Sequence, residues 1–175
     1  MKPENTSGKR PGGDECQRRY LELCLQARGS NVHEETLLAT DYLNHINEIV
    51  MLLELIPDLP DCLEDCKAWR PLSYQEHFAQ SGIADRDLAI EAYDYVPAEF
   101  RQPFDRLVGE MNRLVALSVV RLEQLLTKGE DDVLRLVASR ASHNLQDLIG
   151  QASAVIHGHA EIMGQDKIDA LMELG

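Results

Sequence analysis

Aromatic side chains are scarce in this sequence, at 5% of residues with a single Trp. Strands draw on aromatic and β-branched residues. Their scarcity, set beside recurrent Leu and Ala, therefore disfavours a β-sandwich and favours helices packed through aliphatic side chains. Positive charge is also short: 17 Lys and Arg stand against 30 Asp and Glu, for a net charge of −13. A surface of that sign repels phosphate backbones and anionic lipid, which argues against nucleic acid and membrane as partners. No apolar run approaches the roughly 18 residues of a membrane span. The opening MKPENTSGKRPGG has no apolar stretch of the kind that marks a secretory signal, so a cytoplasmic protein is expected. There is no glycine-rich phosphate loop and no G-x-S-x-G elbow, which leaves neither a phosphate cradle nor a serine nucleophile.

Cysteine is present but not in zinc spacing. Cys16, Cys24, Cys62 and Cys66 contain no C-x-x-C pair. Cys62 and Cys66 lie one helical turn apart, a spacing that admits a soft metal or a redox pair. Without a sign of export, the expectation is reduced thiols acting as small buried hydrophobes.

What remains is ordinary globular material, 44% hydrophobic and 27% charged over 175 residues, enough for one domain with a real core. Residues 1–13 are polar and rich in Gly and Pro, and are expected to be a disordered tail. A helix is expected over Asp14 to Ala27, with Tyr20, Leu21, Leu23, Cys24 and Leu25 as its apolar side, ended by Gly29. A second should start at Ser30 or Asn31 and run to Ile56, with a stripe of Leu38, Tyr42, Ile46, Ile49, Val50, Leu53 and Ile56. The middle third breaks into short helices: one through Lys67 with the two cysteines, one over Tyr74 to Gln80 behind a Ser73–Glu76 capping box, and one over Asp85 to Tyr95. These suit a cap over one end of a bundle. Two long helices close the body. One opens at Pro97 or Pro103 and runs to about Thr127; Lys128-Gly129 breaks it, and the other then carries Val133, Leu136, Val137, Ala141, Leu145, Leu148, Ala152, Val155 and Ile162. The short connection makes the two antiparallel neighbours.

Chemistry concentrates near the end. Asp147 and Gln151 are four residues apart and share one face of the last helix, on the shoulder of its core stripe. A carboxylate and a carboxamide held on a rigid helix can position a water for attack on a phosphoryl group, a reaction that depends largely on positioning and charge. The bland alternative is an ordinary polar shoulder. Beyond Gly164, Ile168, Leu171 and Met172 fall at i, i+3 and i+4 and form a small apolar edge suited to a partner's groove, with Asp166 and Asp169 set to meet a basic rim. Here the alternative is a last helical turn folded back onto the body.

The run Leu145-Gln146-Asp147-Leu148-Ile149-Gly150-Gln151 resembles the (F)QDLTGQ signature of chemotaxis phosphatases of the CheZ type, with Leu145 in place of an aromatic residue and Ile149 in place of Thr. The resemblance implies that Asp147 and Gln151 act on a phosphorylated CheY-like response regulator, Gln151 orienting the hydrolytic water. The segment Gln165-Asp166-Lys167-Ile168-Asp169-Ala170-Leu171-Met172 is similar to the SQxxIDxLF peptides that dock on response regulators. It implies a partner site at Gln165, Asp166, Ile168, Asp169, Leu171 and Met172. The resemblance covers only this C-terminal stretch.

A metal site is the other chemical option. His143 with Asp147, and His157 with Glu161, are i, i+4 pairs, and Asp41, His45 and Glu48 share one helix face. The two Glu-x-x-His motifs of a di-iron bundle are absent, and no cofactor is expected.

The sequence thus predicts an all-α, up-down bundle of about four longer helices with short capping helices over residues 14–163, followed by an amphipathic docking segment at 164–175. The expected role is a cytoplasmic signalling or adaptor protein that docks a response regulator. Its alternatives are a phosphatase acting on that regulator and a metal-binding bundle. Monomer and dimer are not distinguished.

Overall fold

The computed structural model describes residues 13–159. Both terminal expectations, the disordered start and the docking segment with Gln165, Asp166, Ile168, Asp169, Leu171 and Met172, lie almost wholly outside that range.

The chain is all-α. Its helices are α1 (Gly13–Ala27), α2 (Leu43–Leu55), α3 (Cys62–Ala68), α4 (Tyr74–Gln80), α5 (Arg86–Tyr93), α6 (Ala98–Lys128) and α7 (Asp131–Ile156), with a 3-10 turn at Thr40–Tyr42 leading into α2. The frame is the α6–α7 hairpin, two helices of 31 and 26 residues. Gly129 makes the reversal possible. It sits at φ 69°, where its amide donates to the Leu126 carbonyl and the Glu130 amide to the Leu125 carbonyl. This is the paired bonding of a Schellman cap, which a residue with a Cβ adopts only at a cost.

α2 packs against α7 and touches α6, so three helices enclose the core. Ile46, Ile49 and Leu53 of α2 meet Leu107, Met111 and Leu114 of α6 and Leu145, Leu148 and Ala152 of α7, all fully or nearly fully buried. The capping-box expectation is met at α4: the Ser73 hydroxyl accepts from the Glu76 amide at 3.2 Å, and the Glu76 carboxylate accepts from the Ser73 amide at 2.8 Å. α3 lies on α2 and α6, while α4 and α5 pair with each other and α1 rests on α5. Arg19 of α1 is tied to Glu91 of α5.

Four sequence expectations are corrected. Residues 30–39 are irregular, not the first turns of the second helix. Val32, Leu37, Leu38 and Ala39 are all buried, which no single helix face allows. Leu37 sits at φ 59°, and the His33 amide donates to the Leu38 carbonyl at 2.8 Å to close a loop. Burial here overrides helical propensity.

In α1, Leu21 and Leu25 face outward, and only Leu23 and Ala27 are fully buried. At the start of α7 the buried positions are Leu134 and Ala138, while Val133 and Leu136 are exposed. α7 itself stops at Ile156, six residues before Ile162. Gly158, at φ 81°, receives the turn, with its amide on the Val155 carbonyl and the His159 amide on the Ala154 carbonyl. The expected break at Gly164 is thus preceded by one at Gly158. Pro97 caps α6, and Pro103 lies inside that helix with its ring buried.

Candidate functional site

Asp147 and Gln151 stand on α7 where the neighbouring positions Leu145, Leu148 and Ala152 are locked into the core. The backbone that carries them is therefore rigid, and the two side chains leave it one turn apart on the same shoulder. Asp147 is exposed, with 46% of its side chain open to solvent and the His143 ring 3.8 Å from its carboxylate. This i, i+4 pair is solvated on both sides, His143 being 75% exposed.

Gln151 is half-buried. Its Nε2 donates back along the helix to the Asp147 carbonyl at 3.3 Å, which turns Oε1 inward. There Oε1 is shielded from solvent with no hydrogen-bond partner among the described residues. An acceptor left in that state costs about 1–3 kcal/mol, and a rotation of the side chain outward would offer it to an O–H donor. Neither Asp147 nor Gln151 lines one of the cavities described below. They stand on an open helix face.

The metal expectation finds no support in the geometry. Among the described residues no three His, Cys, Asp or Glu side chains converge on a common point. His45 stacks on Trp69 with ring centroids 4.7 Å apart, and its Nε2 donates to the Arg70 carbonyl at 2.9 Å. Its Nδ1 is 4.0 Å from the Glu48 carboxylate. His157 is bonded through Nδ1 to the Ser153 carbonyl at 2.7 Å, and its expected partner Glu161 lies outside the described residues. Cys66 is buried, which together with nearby Cys62 pushes its thiol up to about 12, so it is neither a thiolate ligand nor a nucleophile near neutral pH.

Comparison with known proteins gives no relative. The chain matches no protein-family model, no curated protein and no solved structure. No helix among the described residues is long and apolar enough to cross a membrane.

Three features escaped the sequence reading because they join residues far apart in the chain. One is an apolar groove of 430 Å³ beside Trp69, walled by Cys66, Val115 and Val119. A second, of 370 Å³, lies between Arg28, His33 and the end of α7 at Ile156 and His157. The third is a cleft of 250 Å³ between α6 and α7, floored by Leu114, Ser118, Val137 and Ala141. Helical periodicity marked these side chains as stripe or surface, but gave no sign of which would leave space between them.

Proposed function

We propose that this chain is a cytoplasmic helical signalling protein that docks a response regulator through its C-terminal segment and presents Asp147 and Gln151 to the regulator's phosphoryl group. The observation that carries the reading is the pair itself: an exposed carboxylate and a half-buried carboxamide, one turn apart on a helix packed against both α6 and α2. An open face without a cavity favours a protein substrate over a small molecule. The −13 charge supports a partner with a basic surface, since opposite charge speeds encounter.

The phosphatase reading is the second form of the proposal, and Gln151 favours it. Its Oε1 accepts nothing among the described residues, so turning outward to hold a water exchanges an unpaid desolvation for a hydrogen bond. Holding that water in line with phosphorus is the whole contribution the residue has to make.

Docking is tested by calorimetric titration of phosphorylated and unphosphorylated response regulators into the full-length chain. Binding that is lost on Ile168→Asp with Leu171→Asp, and kept on Gln151→Ala, supports the reading. Binding indifferent to the tail substitutions would contradict it.

A further inference from the structure

In a chain this acidic, a basic side chain without a carboxylate partner is unexpected, yet four of them share one flank of α6. Arg106, Arg113, Arg121 and Lys128 are exposed and make no ion pair or hydrogen bond among the described residues. At about 100° per residue they lie within a sector of roughly 80°. Leu117, 53% exposed, lies in the same sector, and Val120, 54% exposed, lies at its edge. The carboxylates in that sector are Glu99, in the first turn of α6, and Glu110. This flank borders the 250 Å³ cleft between α6 and α7, where Leu117 and Arg121 form the wall above Val137 and Ala141. The result is an apolar slot with a cationic rim.

We infer that this slot seats the chain's own C-terminal segment. That segment lies outside the described residues, and three observations assign it. Its sequence has the matching pattern: Ile168, Leu171 and Met172 at i, i+3 and i+4, with Asp166, Asp169 and Glu173 grouped within about 60° of one another on a helical wheel and Asp169 about 60° from Met172. Its charge is opposite to that of the rim. And it reaches. From Ile156 back to Ala141 is ~22 Å along α7, while the nine residue-to-residue steps from His159 to Ile168 span up to ~30 Å. The Gly158 cap turns the chain off the α7 axis six residues before the segment begins at Gly164. Seated, the segment is withheld from any partner, so a partner must displace it. The inference goes beyond the docking reading and does not depend on which partner the segment meets.

Backbone amide exchange of the full-length chain, followed by NMR at low ionic strength with no other protein present, tests it. The amides of residues 168–172 are expected to exchange more slowly than in an unstructured peptide. Arg113→Glu with Arg121→Glu should speed them roughly tenfold, as expected for two exposed ion pairs turned repulsive, and Asp166→Arg with Asp169→Arg added to that pair should restore protection. Leu117→Asp should also remove it, without altering exchange in the core of α6 and α7. Three results overturn the inference: exchange at the unstructured rate in the unaltered chain, protection indifferent to both charge reversals, or protection that grows with protein concentration and so reports a second copy's slot. Because no response regulator is present, failure here leaves the docking reading untouched, and the reverse holds too.

Discussion

The Thr36 hydroxyl donates to the Ile156 carbonyl at 2.6 Å, joining the loop before α2 to the last turn of α7 across 120 residues of sequence. The same oxygen accepts from the Leu38 amide at 3.4 Å, and Thr36 is fully buried. One side chain thus ties down both the irregular segment and a helix-end carbonyl that has no partner further along its own helix. Replacing the hydroxyl by a methyl keeps the shape and strands the carbonyl. Thr36→Val is expected to lower stability by about 1–3 kcal/mol, seen as a lower urea midpoint at unchanged slope, while Thr36→Ser largely retains it. An unshifted midpoint would mean that water reaches Ile156.

The capping box of α4 gives a second test. Its two bonds hold the short helix whose Tyr74 hydroxyl accepts the Ala39 amide at 2.8 Å. Ser73→Ala should cost about 1 kcal/mol. The Ser73 amide, and then its hydroxyl, also hold the Glu76 carboxyl below the usual Glu range. A depressed carboxyl adds stability that is present above its unfolded value and lost as pH falls through the folded one. Acid titration of stability should therefore be shallower in Glu76→Gln than in the unaltered chain.

His77 predicts a loss of stability in mild acid. Burial first, then the neighbouring His45, hold its imidazole below the usual His range, against the opposing pull of Asp41. Around it stand Tyr42 at 5.6 Å, Phe78 at 5.1 Å and His45 at 6.0 Å between ring centroids, and its Nε2 is buried with no partner among the described residues. Glu48, on the α2 face beside His45, lines a shallow groove together with His45 and His77. A proton on Nε2 would have no acceptor. The folded value is the lower one, so stability is full above about pH 6.5 and falls as pH drops from there toward the folded value. Urea midpoints measured across that interval should decline less in His77→Leu; equal declines would assign the effect elsewhere.

Packing separates two leucines of one helix. Leu148→Ala, at a fully buried position, should cost about 2–5 kcal/mol, whereas Leu136→Ser, 55% exposed, should stay within about 0.5 kcal/mol of the parent. The cationic flank predicts in addition that neither Arg113 nor Arg121 matters to folding, only to what the slot holds.

These leucines also show how far the sequence could be read. Periodicity found the core of α6 and α7 because Leu107, Met111, Leu114, Leu145 and Leu148 recur at helical spacing, and Gly129 announced the turn between them. It misassigned the buried face in the first turns of α7, where Val133 and Leu136 are as apolar as Leu134; only the packing of the helix decides which side is inward. It failed at residues 30–39, because a buried loop is apolar on several sides and mimics a helix stripe. Asp147 and Gln151 were legible as a pair on one face. The inward turn of Gln151 Oε1 was not, since it depends on a bond to the helix's own backbone.

The decay of a phosphorylated response regulator, timed with and without the full-length chain and with Gln151→Ala, tests the central claim most directly. The account predicts faster dephosphorylation with the unaltered chain and a loss of at least about 100-fold in that acceleration for Gln151→Ala, with binding of the regulator unchanged. Acceleration that survives in Gln151→Ala, or no acceleration by the unaltered chain at concentrations where it binds, would contradict the assignment of Asp147 and Gln151 as the acting pair.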